Sequence, residues 1–270
     1  MAKLYIVGTP IGNLKDITLR AIETLKMVDF IACEDTRHSL QLLNHLEITK
    51  PLFAYHQHNE NQSSEKICAL VREGKNVALI TDAGMPSVSD PGAIVVSKCR
   101  QEGLEVETVP SATALTTAFA LSGIQSKGFA FLGFIPSKQC DKVRFLSKYS
   151  KLNIPMAFYC APHDIIKDAQ SMLEVFGDRR VWVAKELTKI HESVLECTLA
   201  NFCIGEPRGE YVLIVDGATE ENKLLDLTIE EHLDFYIEQG NDSKTAVKLV
   251  SSERGLNKNE VYQIALKMKQ

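Results

Sequence analysis

Short apolar runs alternate with longer amphipathic stretches through the first half of the chain. Runs at 4–7, 30–33, 52–55, 77–80 and 105–109 are the length of buried strands and too short for helices. Helical spacing of apolar positions fills 19–28, 63–72 and 93–102 between them. Alternation of this kind predicts a parallel sheet joined by right-handed crossovers. The pattern breaks at Ser122-Gly123-Ile124-Gln125-Ser126. Strands are then expected at 129–133, 156–159, 181–186, 193–198 and 211–215, with helices at 138–149 and 163–176. Some of these strands follow one another closely, which favours a mixed or antiparallel sheet. From Thr228 the chain reads as three short helices, the first opened by a capping box to Glu231. Asn257 to Lys269 forms the last, with Leu256, Val261, Ile264 and Ala265 as its packing face. The expected architecture is α/β: an N-terminal parallel-sheet domain (1–124), a mixed-sheet domain (125–222) and a small helical extension (223–270).

The glycine and proline content concentrates where two of those strands end. GTPIGNLKD follows LYIV, and TDAGMPSVSDPG follows VALI. Glycine lets backbone approach a ligand closely, and proline delays the next helix. Two such loops at neighbouring strand ends of one sheet would line one crevice, where open α/β sheets bind ligands. Neither loop is a common nucleotide motif. Gly8 and Gly12 enclose three residues and Asn13 follows, so the Walker pattern fails, and G-x-G-x-x-G is absent from both.

These segments carry a resemblance. GTPIGNLKDITLRA (8–21), ACEDTR (32–37), YHQHNE (55–60), LITDAGMPSVSDPG (79–92) and VPSATAL (109–115) are similar to the tetrapyrrole-methylase superfamily of S-adenosylmethionine enzymes. Within it, they resemble the ribosomal RNA small-subunit methyltransferase I family. The likeness continues through FLGFIP (131–136), AKELTK (184–189) and the C-terminal helices. It implies a two-domain tetrapyrrole-methylase-like fold, S-adenosylmethionine as methyl donor, and the small-subunit 16S ribosomal RNA as partner. The implied acceptor is the ribose 2′-hydroxyl of a cytidine, cytidine 1402. A cytoplasmic homodimer is expected. The alternatives are a tetrapyrrole or other small-molecule methylase of the same fold, and a non-catalytic RNA-binding assembly factor.

By the same resemblance, Pro10, Asp82, Gly84, Met85, Pro86, Val88, Thr113 and Ala114 fall at donor-contacting positions, with Cys160 and Leu187 near them from the second domain. Candidates for handling the acceptor are Glu34, Asp35, Arg37, His56, Asn59 and Glu60, with His58, Asp82 and Asp90 in the same segments. A base near the hydroxyl would assist transfer. Arg37 offers a planar fork for phosphate. His56 and His58, read as alternate residues of a strand, would share a face. No third ligand accompanies them, so no metal is expected; the other histidines, His38 included, draw no functional reading. Ser111 stands where the superfamily usually has glycine, which puts a left-handed turn there in question.

Composition narrows the class. The chain has 270 residues, 45% of them hydrophobic, enough for two cores. No apolar run reaches the ~18 residues of a membrane span, and MAKLYIVGTPIGN reads as a first strand rather than a signal peptide. Seven cysteines, an odd number without C-x-x-C, argue for free thiols. Net charge is −5, yet residues 242–270 hold six Lys/Arg (to Lys269) against three acids, so the tail is +3 and the remainder −8. A basic face on an acidic body is compatible with RNA contact. Replacing Gly84 by Val is expected to hinder donor entry with little loss of stability.

Overall fold

The structure, a computed structural model, describes residues 2–218 and 227–268. The chain forms two compact units, 1–218 and 219–270. In the first, strands β1 (Lys3–Val7), β2 (Phe30–Cys33), β3 (Leu52–Ala54), β4 (Val77–Ile80) and β5 (Glu105–Val109) form a sheet of order β3-β2-β4-β1-β5. Every pairing in it is parallel. The helices between them are α1 (Leu19–Met27), α2 (Thr36–His45), α3 (Glu60–Arg72) and α4 (Ala93–Gln101). Neighbouring side chains on a strand point to opposite faces. Val7 and Ile80 accordingly pack with Ala21 and Leu25 of α1 and Leu43 of α2. Ile6 and Leu79 pack with Ile67 and Val71 of α3 and Val95 of α4. The chain thus leaves β1 over one face and leaves the adjacent β4 over the other, which opens a crevice between their carboxyl ends.

A backbone bridge closes the floor of that crevice. Thr9 N donates to Gly84 O at 2.9 Å and Gly84 N donates to Thr9 O at 3.2 Å. The Thr9 hydroxyl adds a bond to Thr81 O, 3.1 Å. Ser111 is not left-handed, and its Oγ donates to Thr9 O at 3.0 Å. The residue that departs from the family pattern therefore adds a tie to the first loop.

A second sheet follows α5 (Ala114–Ser122). Its strands are β6 (Ala130–Phe134), β7 (Met156–Cys160), β8 (Arg180–Lys185), β9 (Ser193–Thr198) and β10 (Tyr211–Val215), in the order β6-β7-β10-β8-β9. Only β6–β7 is parallel, so the sheet is mixed. Helices α6 (Gln139–Ser147) and α7 (Ile165–Phe176) bury Leu146, Ile165 and Met172 on one face. Ala118 of α5 packs on the other face with Ala157, Trp182 and Ile214. Ile11, from the first glycine loop, joins that cluster beside Ala184 and Leu187. Gly12 has to be glycine at this junction. A Cβ there would lie 2.9 Å from Leu187 O and 2.7 Å from Thr188 Oγ1. Asn13 N donates to that same Oγ1 at 3.0 Å.

The second unit has its own core. Helices α8 (Ile229–Glu238), α9 (Ser243–Arg254) and α10 (Lys258–Lys267) enclose Leu233, Ala246, Val250, Val261 and Ala265. The Thr228–Glu231 capping box forms. Ile264 packs against this core, but Leu256 stays 36% exposed because it follows the helix-ending Gly255. Lys269 and the 222/223 boundary lie outside the described residues. His232 is fully buried: its Nδ1 accepts from Arg254 Nε (3.0 Å), which leaves the proton on Nε2 to donate to Glu253 Oε2 (3.1 Å).

Two outcomes are expected. Gly84 has φ +81°, with only Ile11 Cγ2 near its missing Cβ, at 3.5 Å. The obstacle to Gly84→Val is therefore strain rather than space, and the expectation of little stability loss is corrected. The variant should lose about 1–2 kcal/mol, read as a lower denaturation midpoint. In the second unit, burial foremost and Arg254 next hold the His232 pKa below 6.5, against the pull of Glu253. Protonation is then less favourable folded than unfolded, so stability is whole above 6.5 and falls as pH drops below it. Hydrogen exchange over 229–267, corrected for its intrinsic pH dependence, should show protection falling from pH 7.5 to 5. His232→Gln should flatten that change.

Candidate functional site

A cavity of about 400 Å³ lies where the bridged loops meet the second sheet. From the first sheet's side its wall holds Ile11, Glu34, the run from Asp82 to Met85, and Val88 to Asp90. The start of α5 adds Thr113 and Ala114. From the second sheet come Phe134, Tyr159, Cys160, Leu187 and Tyr211. The volume falls within the roughly 300–1,000 Å³ usual for small-molecule sites.

The structure brings eight of the ten expected donor-contacting residues to this wall: Asp82, Gly84, Met85, Val88, Thr113, Ala114, Cys160 and Leu187. Pro86 is buried beneath the second loop and does not reach the cavity. Pro10 lines a smaller adjoining hollow of about 270 Å³. That hollow shares Ile11, Asp82, Ala83 and Glu210 with the larger cavity, and the rest of its wall comes from the first loop, Thr81, α2 and Lys189.

The acceptor candidates divide more sharply. Glu34 is on the cavity wall. Asp35 caps α2, accepting from Arg37 N at 2.8 Å, and pairs with the 88% exposed Arg37 side chain at 3.1 Å. Asn59 is committed to its own turn: Oδ1 accepts from His56 N (2.8 Å) and Nδ2 donates to Ala54 O (3.1 Å). Glu60 Oε1 accepts from Gly92 N (3.0 Å) and Tyr55 OH (3.2 Å), so it ties α3 to the second loop. His56 and His58 follow β3 in a turn rather than a strand, contrary to the alternating-face expectation. Their rings still approach to 6.0 Å, and His56 Nδ1 is buried without a hydrogen-bond partner. Among the described residues, no group of His, Cys, Asp and Glu side chains is gathered to hold a metal ion.

Electrostatically the cavity is acidic. Burial, and then the charges of Glu34 and Asp82, push Asp90 up to about 6. Burial and Asp82 raise Glu34 as well, against His56. Burial raises Cys160 strongly, with Asp168 next, so it stays a thiol and contributes shape rather than a nucleophile. Behind it, Asp168 bonds Lys142 Nζ at 2.5 Å, both side chains buried. Two segments beside the cavity are strained. Ser87 and Ser89 have φ +71° and +65°, and Glu186 and Thr188, flanking Leu187, have +50° and +67°. Strain of this kind costs about 1–3 kcal/mol per residue and gathers at functional sites.

Phe134, Tyr159 and Tyr211 were not anticipated. Their strands read clearly in the sequence, but which strand ends face the first sheet does not. His38 was also passed over. Its Nδ1 lies 3.4 Å from Asp82 Oδ1. The available signal was its position one helical turn after the capping Asp35.

Comparison with known proteins agrees with this geometry. Residues 3–203 match the model for Tetrapyrrole (Corrin/Porphyrin) Methylases. The ribosomal RNA small subunit methyltransferase I of Bacillus subtilis (strain 168) is 41% identical, over 97% of this chain and 93% of that protein. The protein of the same name from Thermotoga maritima is 42% identical over 80% of this chain and 99% of its own length. The chain also resembles the crystal structure of uroporphyrin-III C-methyl transferase from Thermus thermophilus complexed with S-adenyl homocysteine. The TM-score is 0.57 at 18% identity, covering 80% of this chain and 97% of that one, a likeness of fold. With its bridged glycine loops, its cavity and near-complete alignment to these relatives, the chain belongs to the tetrapyrrole methylases, within the ribosomal RNA small subunit methyltransferase I family.

Proposed function

We propose that the protein is an S-adenosylmethionine-dependent methyltransferase acting on 16S ribosomal RNA in the small subunit, at the ribose 2′-hydroxyl of cytidine 1402. The observation that carries this reading is the cavity built jointly by the two bridged loops and the second sheet, in a chain whose relatives align over nearly its whole length.

The residues present suit such a donor. Apolar groups from Ile11, Ala114 and Leu187 offer a surface for a purine, and the rings of Phe134 and Tyr159 border it. Gly84, whose own N–H and carbonyl are taken by the Thr9 bridge, keeps a bulky side chain off the donor at that wall. Glu34, Asp82 and Asp90 surround a cation with negative charge, and Asp82 Oδ1 is buried with no hydrogen-bond partner among the described residues. The donor, when bound, supplies an electrophilic methyl group on a positively charged sulfur. The chain's part is to hold it, exclude water and orient the acceptor. Arg37, exposed beside the cavity-lining segment, suits an RNA phosphate. Asn59 and Glu60 act through the loops they anchor rather than by touching RNA.

A homodimer in the cytoplasm completes the reading. Among the described residues no helix is long and apolar enough to cross a membrane.

Methyl transfer from labelled S-adenosylmethionine to undermethylated small subunits tests the function. One new ribose methyl at that cytidine is expected, located by mass spectrometry of the RNA; label appearing only in a tetrapyrrole substrate would refute it. Charge gives a second test. Asp90 is raised to about 6, so its ionised form is disfavoured in the empty site. A bound sulfonium would favour that form, so donor affinity should rise a few-fold as pH climbs from about 5 to 7. Calorimetry should show a smaller rise for S-adenosylhomocysteine, whose sulfur is uncharged.

A further inference from the structure

The larger cavity leaves unexplained the hollow beside it. This second space, about 270 Å³, is walled by Pro10 to Gly12, by His38, Gln41 and Leu42 of α2, and by Thr81 to Ala83. It is smaller than the usual range for drug-sized ligands, room for about one nucleoside. Its common wall with the donor cavity is Ile11, Asp82 and Ala83, with Glu210 at the margin. A reaction that joins two molecules in line needs two adjoining rooms of this kind.

Among the described residues, one histidine lines this hollow. His38 Nδ1 lies 3.4 Å from Asp82 Oδ1, and that oxygen is shut off from solvent without an aligned hydrogen-bond donor. The separation is long for a hydrogen bond, as pairs of this kind are in empty sites before substrate tightens them. Alignment of this pair on substrate binding would hold the proton on Nδ1 and leave the lone pair on Nε2. The side chain is 56% exposed, so a substrate entering from solvent can reach it.

Resting on the donor assignment above, we infer that this hollow is the acceptor subsite, that it takes one unstacked nucleotide of the RNA, and that His38 is the proton acceptor, oriented by Asp82. The ribose oxygen forms its bond to the methyl carbon while the carbon–sulfur bond of the donor breaks, leaving a neutral thioether. The hydroxyl proton passes to His38 Nε2, and the imidazolium returns it to water once the methylated RNA leaves. A nucleotide must leave its stack to enter, as enzymes acting on single nucleotides in folded nucleic acid require.

The test compares wild type with His38→Ala and His38→Gln on undermethylated small subunits, with calorimetry of S-adenosylhomocysteine alongside. The alanine variant should lose about 100-fold or more in kcat, keep its S-adenosylhomocysteine affinity within about twofold, and regain part of kcat with added imidazole. Glutamine, which cannot accept the proton, should be equally slow and show no rescue. The proposal is overturned by near-normal kcat in both variants, by a loss confined to KM, by no rescue of the alanine variant, or by donor affinity falling with the rate. If wild type itself transfers no methyl to RNA, the functional reading fails and this inference with it. If wild type is active and the variants match it, only the acceptor assignment fails.

Discussion

The paired hydrogen bonds between Thr9 and Gly84 are the constraint on which the site depends. They join the loop after β1 to the loop after β4, two neighbouring strands whose connections depart over opposite faces of the sheet. Without that tie, two glycine-bearing loops would drift apart at a sheet edge and define no common wall. With it, residues from 9 to 13 and from 82 to 90 form one surface. Ser111 and Thr81 hold the same point from the third dimension through hydroxyl–carbonyl bonds. Gly84 takes part because it alone combines positive φ with an open side toward the cavity. Gly12, one turn of loop away, does the complementary job, letting the Leu187–Lys189 segment close over the first sheet.

Around that surface the chain concentrates states that folding alone would avoid. Four carboxylates line one cavity, two serines and two residues beside Leu187 sit in left-handed backbone, and among the described residues a carboxylate oxygen and an imidazole nitrogen are buried without hydrogen-bond partners. Each disfavours the empty molecule. A bound cation relieves the first, since its charge replaces the solvent that Glu34 and Asp90 have lost. The arrangement is that of a site poised for a positively charged ligand rather than an anion-binding nucleotide loop, as the missing Walker lysine also indicates.

Much of this was legible in the sequence because it depends on local pattern. The strands of both sheets fall within about a residue of the apolar runs, and the mixed second sheet follows from strands too close together for crossovers. The two loops are motif residues that stay together along the chain, and eight of the positions that the resemblance implies for the donor lie on one cavity wall. What was not legible depends on pairings distant in sequence. Asn59 and Glu60 look like exposed polar residues beside two histidines, yet their bonds run to Ala54, His56, Tyr55 and Gly92. Helix α2 was not among the stretches singled out, since its ten residues carry few apolar positions, and with it His38 was missed. Tyr159 and Phe134 needed the orientation of the second sheet, which no periodicity encodes.

The site is confined to one of the two units. The Thermotoga relative aligns over 99% of its own length yet spans only 80% of this chain, about the size of the first unit. That relative has no aligned counterpart for about a fifth of the present chain. Both hollows and every residue placed on their walls lie within 1–218. The helices of the second unit bury their own core and join His232 to Glu253 and Arg254. Net charge does not set the units apart, because residues 219–270 hold seven Lys/Arg against ten Asp/Glu and residues 1–218 hold 23 against 25.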